Sequence, residues 1–429
     1  MVLTHAWMLF VLLFIFVMIK IPIGISLGLA SLVYYLISGL SLAALAQQFY
    51  TGLDSFALIA IPLFILAGSL MEKGGLSKRL ARVADASIGK IEGGMGMATI
   101  LASSFFAAIS GSGPATTAAV GGVMVPEMEK RNYHRVYAAA VAASGGVLGI
   151  LIPPSLTFIV YGVIADLSIG KLFIAGVIPG VIFTLFLMTM AHLLARGKGF
   201  MSGEVFSPRR LVRSFGEAAW SLMAPVIILG GIYGGLFTPT ESAAVAVVYG
   251  LIVGVFIYRE LKVRDLLSSL ESSAKLTGAL AIIWVSASAF GNVVALNNIP
   301  QMVASYILGK TQNPLAILVI ISLLLVLLGM IINAIAMIVI LTPILLPVIQ
   351  QVGIDPYFFG VFFTIMCEIG FLTPPVGTNL FVAMGLAKCS VEQISKAVIP
   401  FILVLYGGAI LISLFPQICL FLPNYMIGK

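Results

Sequence analysis

Charged side chains are scarce: they make up 9% of the 429 residues, whereas hydrophobic residues make up 61%. Soluble domains carry about 25% charged residues, so this shortage excludes a soluble protein. Long runs such as residues 7–19 and 315–329 contain no charged residue at all. A bilayer is spanned by about 20 apolar residues, so the chain has room for about ten crossings. The sequence therefore predicts an all-α membrane protein.

Cysteine and histidine are rare, with three of each. Cys367, Cys389 and Cys419 lie in or beside apolar segments and are interpreted as packing residues. The scattered histidines form no metal-binding cluster. The segment Gly111-Ser112-Gly113 lacks the lysine of a nucleotide-binding loop. With no paired carboxylates or activated nucleophile either, the sequence predicts no enzyme, no direct use of ATP and no cofactor.

Helix breaks divide the apolar chain into two similar halves. Each half contains a helical hairpin whose arms are short for a full crossing, so both hairpins are expected to be re-entrant. Each half also contains a helix interrupted by paired prolines, which remove backbone donors that a continuous helix needs. The predicted segments are a first half at residues 1–196 with a hairpin at 94–130 and a broken helix at 136–167, a cytoplasmic linker at 197–214, and a second half at 215–429 with a hairpin at 314–349 and a broken helix at 357–388.

The two halves match at a constant shift of 221 residues. Chance would align about half a proline pair at one shift, whereas four pairs coincide: Pro126 with Pro347, Pro153 with Pro374, Pro154 with Pro375 and Pro179 with Pro400. Each half is predicted to contain five crossings and one hairpin. An odd number of crossings turns the second copy upside down, so the sequence predicts an inverted repeat.

Positive charge supplies the orientation. With the N-terminus outside, 20 Lys and Arg residues fall on one side, and Lys171, Lys310 and Lys429 fall on the other. The rich side is cytoplasmic by the positive-inside rule, so both termini are predicted to be periplasmic. The net charge of +7 is therefore interpreted as a topology signal and not as a nucleic-acid surface.

Four helix breaks are expected to meet at mid-membrane. Free carbonyls at the ends of half-helices suit a bare cation such as Na⁺, and free N–H groups at the starts suit an anionic substrate. The predicted Na⁺-binding residues are Ser103, Ser110, Gly111, Ser112, Gly113, Gly145, Gly146 and Pro153 in the first half and Gly329, Asn333, Ala334, Gly370, Thr373 and Gly377 in the second. The predicted substrate-binding residues are Ser112, Thr116, Thr117, Asn333, Thr378 and Asn379.

Small and hydroxylated residues also occur at ordinary helix contacts in membranes, so packing remains the alternative for each motif taken alone. Two acids fall within apolar segments. Glu241 is interpreted first as a carboxylate at a helix N-terminus, with an ion-site role as the alternative. Glu368 is open to both a structural role and an ion-binding role.

Four segments together carry a resemblance to a known family: residues 110–116, 149–155, 237–241 and 374–377. Their motifs, in this order, resemble the large membrane subunit of tripartite ATP-independent periplasmic (TRAP) transporters, of the DctM and SiaM kind. The resemblance covers essentially the whole chain and implies an elevator mechanism, Na⁺ coupling and a place in the bacterial inner membrane. It also implies a small four-helix membrane subunit and a periplasmic substrate-binding protein as partners.

The family's substrates are carboxylates, mainly C4-dicarboxylates and sialic acids. Dicarboxylate-type members are associated with an acidic residue at the second hairpin tip, where this chain has Asn333, so the resemblance favours sialic acid. The leading hypothesis is Na⁺-driven import of an organic acid. The alternatives are a self-sufficient Na⁺/carboxylate symporter of similar architecture and, in a different class, an ion channel.

Overall fold

The computed structural model describes residues 2–88, 91–200 and 207–427, and the side chains from Trp7 onward. These residues form helices and connecting turns with no β-strand. The helices are α1 (Val2–Met18), α2 (Ile23–Ile37), α3 (Leu42–Leu53), α4 (Ala60–Lys73), α5 (Leu76–Ile88), α6 (Gly94–Ser110), α7 (Gly113–Lys130), α8 (Arg135–Gly146), α9 (Leu148–Leu151), α10 (Leu156–Ile164), α11 (Ile169–Ala195), α12 (Pro208–Tyr233), α13 (Pro239–Ile252), α14 (Val263–Leu296), α15 (Ile299–Leu308), α16 (Pro314–Gly329), α17 (Ala334–Gln351), α18 (Pro356–Phe371), α19 (Thr378–Ala387), α20 (Val391–Leu414) and α21 (Gln417–Met426). A 3₁₀ turn at Phe56–Ile59 precedes α4, and a π-helical turn at Val253–Ile257 extends α13.

Within the described ranges, eight helical segments are long and apolar enough to cross a membrane. Lipid-facing residues explain the many exposed large side chains, such as Phe14, Val226 and Leu403. Residues 201–206 of the predicted linker and Lys429 lie outside the described residues.

Three short helices were not predicted: α3, α15 and α21. The first is amphipathic and too short to span, so the search for long apolar runs missed it. The last apolar run, residues 396–420, is divided between α20 and α21, because Phe415 precedes Pro416 and adopts φ −127° and ψ 71° outside the helical region. Helix α14 is 34 residues long, because its polar first turns form helix outside the apolar run that follows them.

Two helices form the centre of the protein. All residues of α8 from Tyr137 to Gly146 are buried, and so are all residues of α18 from Phe358 to Phe371. A helix that is apolar on every side requires cover on every side. The cover comes from α6, α7, α19 and α20 around α8, and from α16, α17, α20 and α11 around α18. The first predicted break, at residues 152–155, follows α8 in this enclosed region, whereas Pro375 and Val376 of the second break are exposed.

Candidate functional site

The first hairpin turns in two residues between α6 and α7. Gly111 ends α6 with φ +60°, a left-handed conformation that glycine adopts without a steric penalty. The Ser110 and Thr116 hydroxyls are 2.7 Å apart and hydrogen-bonded to each other. Ser112 precedes α7 in an extended conformation and is partly exposed. The turn thus places a pair of hydroxyls and the free N–H groups of α7 at one point.

This tip packs against the broken helix of its own half. The Gly111 carbonyl accepts a hydrogen bond from the Leu156 N–H at 3.3 Å, just after the break. A Cβ on Gly149 would collide with the Ser112 carbonyl and the Thr116 hydroxyl, so α9 lies directly on the tip. The structure therefore brings residues 110–116 and the Pro153 break together, as the sequence predicts.

Ser103 lies beside the same break. A Cβ on Gly145 would contact the Ser103 hydroxyl and come within 2.9 Å of its Cβ. That hydroxyl donates to the Thr99 carbonyl at 2.9 Å, which leaves its oxygen lone pairs facing α8. Ser103 and Gly145 are thus neighbours in a fully buried position.

Ser155 and Thr157 are functional candidates that sequence reasoning missed. The Ser155 hydroxyl donates to the Ile150 carbonyl at 2.5 Å and accepts from the Phe158 N–H at 3.4 Å. The Thr157 hydroxyl is 2.7 Å from that of Ser155. One of the carbonyls before Pro153 is therefore already hydrogen-bonded by side chains. A serine directly after a proline pair and before an apolar run is the N-cap signal that could have identified it.

The second hairpin meets its broken helix by direct backbone packing. A Cβ on Gly370 would lie 2.7 Å from the Cα and carbonyl carbon of Gly329. Thr373 donates to the Ile369 carbonyl at 2.6 Å, and Gly377 begins α19 with φ +48°. The predicted residues Gly329 and Gly370 therefore form the crossing of α16 and α18, and Thr373 and Gly377 lie in the turn between α18 and α19.

Asn333 and Ala334 form the start of α17. The Asn333 side chain accepts from the Ala336 N–H at 2.8 Å and so serves as the N-cap. Its amide nitrogen remains available for a further contact. Thr378 has a buried hydroxyl without a hydrogen-bond partner in the described residues. In the part of the chain that the structure describes, no hydrogen bond joins Asn333 to Thr378 or to the other predicted substrate-binding residues.

The predicted substrate residues Thr117 and Asn379 do meet, across Gly146. The Thr117 hydroxyl donates to the Gly113 carbonyl at 3.1 Å. A Cβ on Gly146 would collide with that hydroxyl and lie 3.2 Å from the Asn379 amide nitrogen. Asn379 is fully buried and donates to Glu368 at 2.9 Å.

Glu241 occupies the N-terminus of α13. Its carboxylate accepts from the Thr238 N–H at 2.8 Å and hydroxyl at 2.9 Å, and the Thr238 hydroxyl accepts from the Glu241 N–H at 3.3 Å. This capping box is the arrangement expected of a carboxylate that stabilises a helix start. Glu241 is remote in sequence from both hairpin tips, and its carboxylate is engaged with Thr238.

The described residues contain no group of three His, Cys, Asp or Glu side chains that could hold a metal ion. A cavity of about 440 Å³ adjoins Pro153, with Leu101, Val177, Leu222 and Pro225 among its mainly apolar lining. An apolar lining does not suit an anion, whereas the oxygen-rich tips suit a hard cation such as Na⁺.

Comparisons with known proteins identify the family. Residues 10–418 match the model of the tripartite ATP-independent periplasmic transporter, DctM component. The chain is 39% identical over 402 residues to the C4-dicarboxylate TRAP transporter large permease protein DctM of Pseudomonas aeruginosa, covering 94% of each chain. It is 37% identical over 410 residues to the sialic acid TRAP transporter large permease protein SiaM of Vibrio cholerae, covering 95% of this chain and 96% of that one.

A further relative has a longer chain. The isethionate TRAP transporter permease protein DctMQ of Oleidesulfovibrio alaskensis is 44% identical over 410 residues, which are 95% of this chain and 64% of that protein. Among solved structures, the Alcanivorax borkumensis YdaH transporter matches 88% of both chains with a TM-score of 0.64 at 15% identity, a likeness of fold. By the family model and by relatives of matching length, the chain belongs to the DctM component, the large permease, of TRAP transporters.

Proposed function

We propose that this permease imports an organic acid anion across the bacterial inner membrane, driven by Na⁺. Substrate arrives from a periplasmic binding protein, and a small four-helix membrane subunit completes the transporter. The observation that carries the proposal is the convergence of the first hairpin tip, the first break and the Asn379 segment on the buried α8 helix. Family membership supports the partners, because TRAP permeases are components of tripartite systems.

Helix bounds support an inverted repeat. Both ends of α7, at residues 113 and 130, move to those of α17, at 334 and 351, under the same shift of 221 that aligns the prolines. The unpredicted α15 falls where α5 does in the first half, within two residues at each end. Two copies with an odd number of crossings have opposite orientations. In the proposed elevator mechanism, the two hairpins and the two broken helices move as one body. Both termini are proposed to be periplasmic.

The proposed ion and substrate roles follow from helix ends. The α6 C-terminus, with Ser103 and the α8 end at Gly145, offers oxygen atoms for one Na⁺. The crossing of Gly329 and Gly370, with Thr373, offers carbonyls for a second. The N-termini of α7, α17 and α19 offer N–H groups and positive dipole ends to the anionic group of the substrate.

The proposed substrate class is an organic acid anion, with sialic acid and C4-dicarboxylates as the first candidates. The printed names of the relatives include sialic acid, C4-dicarboxylate and isethionate. Isethionate is a sulfonate, so an anionic head group is what these molecules share. Asn333 is a neutral N-cap at the second tip. A neutral residue there favours sialic acid over a C4-dicarboxylate, which would bring a second carboxylate.

Reconstitution in vesicles tests the proposal. The chain is purified with its small membrane subunit, and uptake of radiolabelled sialic acid, succinate and isethionate is measured with the binding protein and an inward Na⁺ gradient. We expect uptake of one substrate that requires both additions and stops when choline replaces Na⁺. A Na⁺-dependent uptake without either partner would instead support the self-sufficient symporter, and single-channel currents in a planar bilayer would support the channel.

A further inference from the structure

Glu368 is a fully buried carboxyl group in the last turn of α18. Its Oε2 atom accepts a hydrogen bond from the Asn379 amide at 2.9 Å. The other carboxyl oxygen, Oε1, has no hydrogen-bond partner among the described residues, and neither has the Asn379 Oδ1 atom. Two buried acceptors thus remain unsatisfied, although buried polar atoms in proteins are nearly always paired.

The unpaired oxygens converge on one point at the first hairpin. A Cβ on Gly113 would lie 2.5 Å from Glu368 Oε1, 3.1 Å from Asn379 Oδ1 and 3.2 Å from the Gly146 carbonyl oxygen. These three atoms come from three different helices, α18, α19 and α8. Three acceptor oxygens therefore face one another beside a glycine, where no side chain separates them.

Four of the helices around this group carry no charged side chain. Helices α9, α16, α17 and α19 contain no Asp, Glu, Lys, Arg or His. The charged residues of α7 begin at Glu127, fourteen residues after Gly113, or about 21 Å along the helix. Titratable residues on the remaining neighbouring helices are Tyr357 and Cys367 on α18 itself, Arg135 and Tyr137 on α8, Tyr161 on α10, Lys171 and His192 on α11, Glu392, Lys396 and Tyr406 on α20, and Cys419 and Tyr425 on α21.

Those neighbours are engaged elsewhere where the structure describes their contacts. Tyr161 donates to the Pro356 carbonyl, Tyr137 donates to the Ala191 carbonyl, and Lys171 lies over the Tyr357 ring at 5.0 Å. A carboxylate without a paired charge is costly in a buried site, and removing its partner typically costs several kcal/mol. One positive charge at the three oxygens would remove both the unpaired charge and the unpaired acceptors.

We propose that Glu368, Asn379 and the Gly146 carbonyl form a binding position for one monovalent cation, apart from the two hairpin-tip positions. The cation is Na⁺, coordinated by these oxygens. The inference rests on the proposed cation-coupled function. A cation bound at this position would join α18 and α19 of the second half to α7 and α8 of the first half.

Neutralising the acid tests the proposal. The complex of the chain with its small subunit is purified, and the number of bound Na⁺ ions is measured with ²²Na⁺ for the wild type and Glu368→Gln. The matched control is Glu72→Gln, which removes a half-buried glutamate from α4. Glu368→Gln is expected to bind one ion fewer than the wild type, and Glu72→Gln is expected to bind the same number as the wild type.

A Glu368→Gln protein that binds as many Na⁺ ions as the wild type overturns the proposal and assigns Glu368 a packing role. A wild type that binds no Na⁺ overturns the proposed Na⁺ coupling, and this binding position with it. If Glu368→Gln cannot be purified, Asn379→Ala removes the amide ligand and retains the carboxylate. The same loss of one ion is expected there, and an unchanged ion count is a refutation.

Discussion

The crossing of α16 and α18 allows a sharp test of the second hairpin. Gly329 and Gly370 are so close that a Cβ added at Gly370 would lie 2.7 Å from two backbone atoms of Gly329. Ordinary contacts of a Cβ are 3.4–4 Å. Because the opposing atoms are backbone, no rotamer change relieves the clash, and the two helices must separate by about 1 Å.

Gly370→Ala is therefore expected to cost about 1–3 kcal/mol, the usual range for overpacking. In a chain of 429 residues, this corresponds to a fall of about 1–3 °C in the apparent Tm. If about 1.4 kcal/mol of this destabilisation acts on the Na⁺-bound state, the Na⁺ concentration for half-maximal transport rises about tenfold. Thermal unfolding in detergent and Na⁺ titration of vesicle uptake measure the two effects.

Gly385→Ala is the matched control. Gly385 lies in α19, and a Cβ there would meet no atom within 4 Å. Alanine in a helix at an open position is neutral or stabilises by up to about 1 kcal/mol. A Gly370→Ala protein that equals Gly385→Ala in both Tm and Na⁺ dependence would refute the close crossing and its role in ion binding.

Three further changes have distinct expected outcomes. Ser112→Phe places a ring at the partly exposed first tip and should abolish transport while the apparent Tm stays within about 2 °C of wild type; normal uptake would mean that substrate binds elsewhere. Thr238→Ala removes the capping box with Glu241 and should lower stability by about 1 kcal/mol without changing Na⁺ dependence; a changed Na⁺ dependence would assign Glu241 an ion-site role. Burial opposes ionisation of Glu260, but hydrogen bonding and charge from Arg79 outweigh it and hold the pKa of Glu260 below its usual value. The stability that this lowered pKa provides is present above the unfolded pKa of about 4.3 and is lost as the pH falls through the lower folded pKa. Glu260→Gln should therefore lower the free energy of unfolding by about 0.5 kcal/mol at pH 7 and by progressively less below pH 4. Chemical unfolding at several pH values measures this.

The hairpins and broken helices could be read from the sequence because glycine and proline pairs act locally. Gly111 requires a left-handed conformation, and Pro153 and Pro154 remove backbone donors, whatever surrounds them. The short helices α3 and α15 could not be read in this way. They are neither long nor uniformly apolar, so their presence depends on the larger helices that they cover.

The hydrogen-bond partner of Glu368 could not be predicted from the sequence either. Asn379 is eleven residues later, beyond the turn at Gly377, and the two side chains meet only because that turn returns α19 towards α18. Gly113 and Gly146 complete the group from the other half of the chain. The sequence could show that an intramembrane acid is present, whereas its surroundings depend on tertiary packing between distant segments.

The two tips are held in place by different forces, and this difference predicts which one opens. Tip one is joined to its break by the hydrogen bond from the Leu156 N–H to the Gly111 carbonyl. Among the described residues, no hydrogen bond joins the tip at Asn333 to the segment after Gly370, where the contact is backbone packing alone. Local opening follows the weakest set of contacts, so the second tip should open first.

Amide hydrogen exchange of the purified complex measures this difference. The amide of Ala336 is expected to exchange faster than that of Thr116, which lies one position further into α7 than Ala336 does into α17, although both amides are hydrogen-bonded. Addition of Na⁺ should slow Ala336 more than Thr116, since the cation would supply the bonds that the second tip lacks. Equal protection at the two positions, or faster exchange at Thr116, would show that the Gly329 and Gly370 packing restrains its tip as firmly as a hydrogen bond does.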